Sequence, residues 1–257
     1  TPTTHILKLP LGLVGNLQAN MADSIENEWL CAELLRGFGL QVATSQRVQF
    51  GDQKVLVVER FDRAWQNNRW IARLPQEDFC QALGIPGSQK YENQGGPGMR
   101  DILRILGSSE DPSDGATFVK AQLLFWALAA TDGHAKNFSL FQRPGGSYRM
   151  TPLYDVLSAW PIIGKGKRQL PYQKAELAMA VRGKNTHYKL AGICRRHWDN
   201  VANLAGLENA DKIIDDVVAA APSVIAATRS RIPDDFPEIM ADKIFTGLAQ
   251  SLSKLGD

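Results

Sequence analysis

Cysteine is scarce in this chain. Cys31, Cys80 and Cys194 are widely spaced, odd in number and contain no C-x-x-C pair, so neither a disulfide framework nor a thiolate zinc site is indicated. The four histidines are equally scattered. Long hydrophobic runs are missing too: the longest mostly apolar stretch, Ala121–Ala130, is about half of what a bilayer crossing needs. The start has no basic stretch followed by an apolar one, so no secretory signal is visible and a reducing cytoplasm is the expected setting. Charge of one sign is lacking as well. Lys and Arg number 29 against 27 Asp and Glu, a net charge of +2, and with 44% hydrophobic residues this excludes disorder as the main state. There is no internal repeat and no initiator Met. The chain opens Thr1-Pro2-Thr3-Thr4 and reads like a piece cut from a longer protein at a surface loop.

What is present is 257 residues, enough for one large domain or two small ones with a sizeable core. Strand patterns come first. His5–Leu9 is a short strand stopped by Pro10, and Thr44–Phe50 and Val55–Arg60 pair across a Gly51-Asp52-Gln53 turn. Trp70–Leu74 is a further strand. Between them, Asp23–Phe38 carries an apolar helical face closed by glycines. Gln76–Leu83 is a helix candidate, and Gly84–Gly98 is a Gly- and Pro-rich loop. Helices then dominate: Met99–Leu106, and Ala116–Ala130, apolar nearly all round and therefore central. A hairpin of Phe138–Phe141 and Tyr148–Met150 turns at Pro144-Gly145-Gly146. From about Lys189 onward helices are separated by Pro222, Pro233 and Pro237. Strands first and helices later make α+β the fold class, with a mixed lobe over 1–75 and a mostly helical lobe over 76–257.

The densest polar cluster, Thr131-Asp132-Gly133-His134-Ala135-Lys136-Asn137, follows the buried helix, and the hairpin then leads to Tyr154-Asp155. Taken alone, D-x-x-x-x-N is a weak pattern, since Asp and Asn are common in turns. A loop leaving a rigid buried helix, however, suits catalysis. Protein kinases use this grammar: a catalytic-loop Asp receives the substrate hydroxyl proton, an Asn five residues later and a second Asp hold metal, and a strand Lys held by a helix Glu pairs with ATP phosphates. Lys8, Glu28, Asp132, Asn137 and Asp155 supply these five parts and follow one another in kinase order. Asn137 and Asp155 supply the hard oxygens that Mg²⁺ prefers. Each has a plainer reading: a carboxylate in the turn after a helix for Asp132, loop capping for Asn137 and Asp155, an edge-strand lysine for Lys8, a solvated helix residue for Glu28. His134 has no partner at metal-ligand spacing. Glu59-Arg60-Phe61, at a strand end leading to the helical lobe, stands where a kinase hinge meets adenine through backbone groups.

Several longer motifs narrow this further: Thr3-Thr4-His5-Ile6-Leu7-Lys8-Leu9-Pro10, Asn27-Glu28, Val58-Glu59-Arg60-Phe61-Asp62-Arg63, Arg73-Leu74-Pro75-Gln76-Glu77-Asp78, Lys90-Tyr91-Glu92, Gly95-Gly96-Pro97, Thr131–Asn137 and Pro152-Leu153-Tyr154-Asp155. Together they resemble the HipA family of serine/threonine kinase toxins. The resemblance implies a kinase-like two-lobe fold, ATP and Mg²⁺, and phosphorylation of a protein hydroxyl, on glutamyl-tRNA synthetase in the family's best-known member, with growth arrest and persistence as the result. It implies a HipB-like helix-turn-helix antitoxin and operator DNA as partners. It also implies that His134, Ala135 and Lys136 border ATP, and Tyr154 is expected beside Asp155 at the nucleotide. The N-terminal subdomain and Gly-rich phosphate loop of the family do not occur in these residues. Two other readings stay open: a weakly catalytic kinase-fold scaffold for antitoxin and DNA, and a small-molecule phosphotransferase. Finally, 161–200 holds nine Lys or Arg against two acids, a surface for phosphate backbones or simply a solvated basic face. Trp160 and Trp198, flanking it, are expected in packing rather than base stacking.

Overall fold

The structure, a computed structural model, describes residues 3–207 and 210–256. The ends of the expected 1–75 and 76–257 lobes, at residues 1–2 and 257, therefore lie outside it. The architecture is mixed, as expected: among the described residues, eight of the twelve strands precede residue 80, and the two longest helices lie after residue 209.

Strand β1 (His5–Lys8) forms the edge of a three-stranded sheet ordered β1-β5-β4, with β4 at Ser45–Phe50 and β5 at Gln53–Glu59. Phe50 pairs with Gln53, so Gly51 and Asp52 alone make the turn. Gly51 takes φ 60, which glycine adopts without steric cost. In register, Lys8 faces Leu56. Between β1 and β4 lies a hairpin that the sequence pattern did not reveal, β2 (Gly12–Val14) with β3 (Ala19–Met21). Its three-residue strands are too short to display an alternation. Helix α1 (Ser24–Gly37) follows and buries Leu30, Cys31, Leu34 and Leu35. A second hairpin, β6 (Arg63–Gln66) with β7 (Trp70–Arg73), adds one strand to the expected Trp70 segment.

The helix expected over Gln76–Leu83 needs correction. Gln76–Asp78 is a strand, β8, and only Phe79–Ala82 is helical, as α2. Asp78 divides them. Its carboxylate accepts the Gln81 N–H at 2.9 Å while Gln81 Oε1 accepts the Asp78 N–H at 3.0 Å, a capping box that fixes a helix start. Strand β8 joins β9 (Ser139–Gln142), which pairs in turn with β10 (Tyr148–Met150).

Two helices, α3 (Met99–Leu106) and α4 (Asp114–Ala127), stand where the pattern places them. Residues Ala121–Ala130 are all buried, and α4 is surrounded by α3 and by the later helices α5 (Arg195–Leu204), α6 (Ala210–Arg229) and α7 (Glu238–Ser253). Trp126 and Trp198 are both buried, with ring centroids 6.1 Å apart, and Trp160 stacks on Tyr172 at 5.5 Å. Both flanking tryptophans of the basic segment thus serve packing.

Two more expectations change here. Pro222 sits inside α6 rather than between helices. Ile214, Val217, Ala221 and Val224 bury one side of α6 across the proline, and that burial outweighs the backbone hydrogen bond a proline forfeits. The basic segment contains an unforeseen hairpin, β11 (Glu176–Arg182) with β12 (Thr186–Lys189). Leu177–Val181 is completely buried. A continuous buried run has no period-2 signature, so its basic surroundings hid it.

Candidate active site

Helix α4 ends under tight control. Ala129 takes φ 51, and the final carbonyls find new donors: Trp160 Nε1–H to Ala127 O at 2.9 Å, Ser158 Oγ–H to Leu128 O at 2.6 Å, and Ala159 N–H to Ala129 O at 3.0 Å. Helix ends leave such carbonyls without intrahelical partners. Supplying all three from 158–160 ties the segment after Asp155 to the start of the Thr131–Asn137 turn. Asn27 locks the same segment to α1. It is 2% exposed, donates to Ser158 O at 2.8 Å and accepts the Ser158 N–H at 2.8 Å. Asn27→Ala should leave two buried backbone groups unpaired and cost about 3 kcal/mol. For a chain of this size that is a fall in Tm of roughly 6–12 °C. Thermal denaturation measures it, and an unchanged Tm would contradict this anchoring.

In the turn itself, Gly133 lies against Phe125 of α4, where a Cβ would come within 2.4 Å of the ring. Close approach, not conformational freedom, demands glycine there. His134 to Asn137 then form a single tight turn. The Asn137 Oδ1 accepts the His134 N–H at 3.1 Å, and its Nδ2 donates to Asp155 Oδ2 at 3.3 Å. Asp155 itself adopts φ 60, a left-handed conformation that Asp tolerates better than most residues and that marks strained functional positions.

Lys8 bridges the two halves of the site. Its Nζ donates to Glu28 Oε1 and to Asp155 Oδ1, both at 2.7 Å. Burial alone would lower the Lys8 pKa, but the two carboxylates outweigh it and hold the ammonium above its ordinary value. Polar contacts therefore run without a break from Glu28 through Lys8, Asp155 and Asn137 to His134. His134 Nε2 in turn stands 3.8 Å from Asp132 Oδ2. Burial keeps the imidazole below its usual pKa despite that carboxylate.

Beside Lys8 opens a cavity of about 170 Å³ whose walls include Ile6, Val42, Val58, Phe61, Tyr154 and Val156, with Lys8, Glu28 and Asp155 on its lining as well. Phe61 and Tyr154 face each other at 5.6 Å. The Tyr154 hydroxyl hydrogen-bonds Ser139 Oγ at 2.5 Å and donates to Lys136 O at 2.8 Å, and burial pushes its pKa up. At the expected hinge, two backbone donors are already used: Glu59 N–H on Thr44 O at 2.8 Å and Arg60 N–H on Thr4 O at 2.9 Å. The Arg60 side chain turns to Asp62, with bonds of 3.0 and 2.9 Å. Among the described residues, the Phe61 N–H has no such partner.

Lys8, Glu28, Asp132, His134, Asn137, Tyr154 and Asp155 are thus brought together, with Phe61 on the cavity wall. Lys136 turns instead to Asp78 Oδ2 at 2.5 Å, and Ala135 is fully buried. Asn27, Asp78, Ser158 and Tyr91 support the site without having been singled out for it. Asn27 adjoins Glu28 in one motif, and the D-x-x-Q spacing of Asp78 was a legible cap. Tyr91 and Ser158 meet their partners only through tertiary structure.

Residues 1–225 match the HipA-like C-terminal domain family. The chain belongs to this family. It is 35% identical over 196 residues to a putative kinase, Y4mE, of Sinorhizobium fredii, covering 74% of this chain and 45% of that protein. It is 36% identical over 146 residues to the serine/threonine-protein kinase toxin HipA of Shewanella oneidensis, covering 51% of this chain and 33% of the toxin. The chain spans less than half the length of the curated relatives it matches. In fold, it superposes on the Shewanella oneidensis HipA, solved with HipB and operator DNA, with a TM-score of 0.78 and 22% identity, over 98% of this chain and 58% of that one. A Helicobacter pylori proinflammatory kinase, CtkA, gives a TM-score of 0.61 at 12% identity, over 98% of this chain and 87% of its own. The kinase-like α+β fold of the HipA family is therefore the fold of this chain. No helix among the described residues is long and apolar enough to cross a membrane.

Proposed function

We propose that this chain is the catalytic part of a cytoplasmic serine/threonine protein kinase toxin, with ATP held between lobes 1–75 and 76–257. The observation that carries the reading is the Lys8 ammonium, shared between Glu28 and Asp155 at 2.7 Å each, beside an Asp155 that Asn137 also touches. A charged lysine so placed meets polyphosphate at the open end of an apolar cavity suited to a base. Asp132, whose side chain is 65% exposed, accepts the proton of the incoming hydroxyl.

The donor set fits Mg²⁺. A cation would be held by the Asp155 carboxylate and the nucleotide's own phosphates, and the Asn137 amide oxygen would join them by turning from the His134 N–H, with its Nδ2 leaving Asp155. That is the ordinary arrangement for Mg²⁺, which takes one or two carboxylates plus substrate oxygens. When bound, it neutralises charge on the transferred group. The Phe61 N–H is left to meet the adenine edge. His134 shapes the turn through its backbone, while Ala135 is buried beneath it and the Lys136 ammonium is committed to Asp78.

The acceptor, by family resemblance, is a protein hydroxyl, glutamyl-tRNA synthetase being the first candidate, and the outcome is translation arrest and persistence. A HipB-like antitoxin and operator DNA complete the set of partners. Where DNA is concerned, the basic segment contributes through its exposed members. Arg182 and Arg195 are tied to Glu92 and Asp215, whereas Lys165, Lys167 and Arg168 are exposed on one loop. Replacing those three by Glu should weaken the complex with antitoxin and operator uniformly across sequences, and reduce the salt slope by about one unit for each phosphate no longer neutralised. Fluorescence anisotropy over a salt series checks this; equal affinity and slope would make the loop a solvated face.

The reading as a whole is tested by incubating full-length protein with labelled ATP and a cell lysate. Label on protein supports it, and label on small molecules alone would favour a phosphotransferase instead.

A further inference from the structure

Tyr91 stands 41 residues before Asp132 in the chain, yet its phenolic O–H donates directly to Asp132 Oδ1. The other carboxylate oxygen, Oδ2, faces the His134 ring. Asp132 is otherwise exposed, and an exposed carboxylate on a turn is free to rotate between rotamers. One strong donor on one oxygen removes that freedom and turns the second oxygen to a fixed direction.

The donor is itself held firmly. The Tyr91 ring meets the His134 ring edge-on, with centroids 5.3 Å apart and planes at 79°, a favourable aromatic geometry. Its carbonyl accepts the Gly96 N–H at 2.9 Å. The neighbouring Glu92 anchors the whole loop to β11. Its carboxylate accepts the Ala180 N–H at 2.6 Å and pairs with the Arg182 guanidinium. The loop closes this tightly because two glycines permit it: a Cβ on Gly96 would lie 2.1 Å from Gln89 O, and one on Gly98 would lie 2.5 Å from Glu92 Cδ.

We propose that Tyr91 is a positioning residue for Asp132, holding Oδ1 so that Oδ2 is presented to the hydroxyl of the protein substrate. The inference rests on the reading of Asp132 as the base. Burial, the bond to Asp132 and the charge of Asp132 all push the phenol pKa up, so the phenol remains a donor at neutral pH.

Tyr91→Phe tests it, because phenylalanine keeps the ring against His134 and removes only the hydroxyl. The assay is label transfer from γ-labelled ATP to lysate proteins by the full-length protein, run beside Asp132→Asn, with Tm and the Kd for MgATP measured on each. A hydrogen bond to a charged group is worth enough to change the maximal rate about 10–100-fold. The expected result for Tyr91→Phe is that loss in rate at saturating ATP, with Tm and nucleotide Kd unchanged. A wild-type rate, with Asp132→Asn inactive, overturns the positioning role and leaves the base intact. A faster rate overturns it too, since Tyr91 would then occupy the substrate's place. A loss accompanied by a lower Tm or a weaker Kd overturns it by making Tyr91 merely structural. No transfer by the wild type, or transfer by Asp132→Asn, overturns the base reading beneath it.

Discussion

Asp132→Asn should abolish phosphoryl transfer while leaving the protein folded and able to bind ATP. The substitution preserves shape and removes the carboxylate proposed to take the proton; losing general-base function costs about 10²–10⁴-fold in rate. The structure explains why stability should survive. Asp132 is 65% exposed in its side chain, and its neighbours are Tyr91 and the more distant His134. The turn keeps its shape through Gly133 against Phe125 and through the Asn137 amide on the His134 N–H. Growth inhibition should vanish with transfer at equal expression. A mutant that still arrests growth would show that arrest does not come from this carboxylate.

Asp155→Asn should remove most of the thermal stabilisation that MgATP gives. A ligand that binds only the native state at 100 times its Kd contributes about 2.7 kcal/mol, or roughly 5–10 °C for a chain of this length. Asparagine is the appropriate replacement because Asp155 sits at φ 60, where Asn is tolerated and most residues are strained. The change deletes the charge that meets Lys8 at 2.7 Å and that would hold a divalent cation. Differential scanning fluorimetry with and without MgATP reads the effect. An undiminished shift in the variant would show that Asp155 does not bind the metal.

Four residues at the centre of this account stood out in the sequence because each lies inside an unbroken run of characteristic neighbours. Lys8 is set in HILKLP, Asp132 and Asn137 in TDGHAKN, and Asp155 in PLYD. Helix α4 was legible from its apolar surface alone. What escaped was structure whose cause lies far away in the chain. Tyr91 reaches Asp132, and Asn27 reaches Ser158 across 131 positions, so no local pattern announces either pair. The β11–β12 hairpin was hidden by the reverse effect: nearby lysines and arginines suggested an open basic surface, whereas Leu177–Val181 is core. Arg182 illustrates the consequence. In the sequence it is one more surface charge; in the structure it clamps Glu92 beside Tyr91, so reversing its charge would disturb the loop that reaches Asp132 as well as any DNA surface. Lys136 shows that proximity in sequence to Asp132 and Asn137 does not fix direction, since its ammonium pairs with Asp78.

The most direct test of the central claim is the chemical identity of the phosphorylated product. Full-length protein, MgATP labelled at the γ-position and a cell lysate are incubated, and the labelled material is digested and mapped by mass spectrometry. The account predicts label on serine or threonine of a discrete protein with wild type, and none with Asp132→Asn. Label confined to small molecules, or equal protein labelling by the two forms, would contradict it.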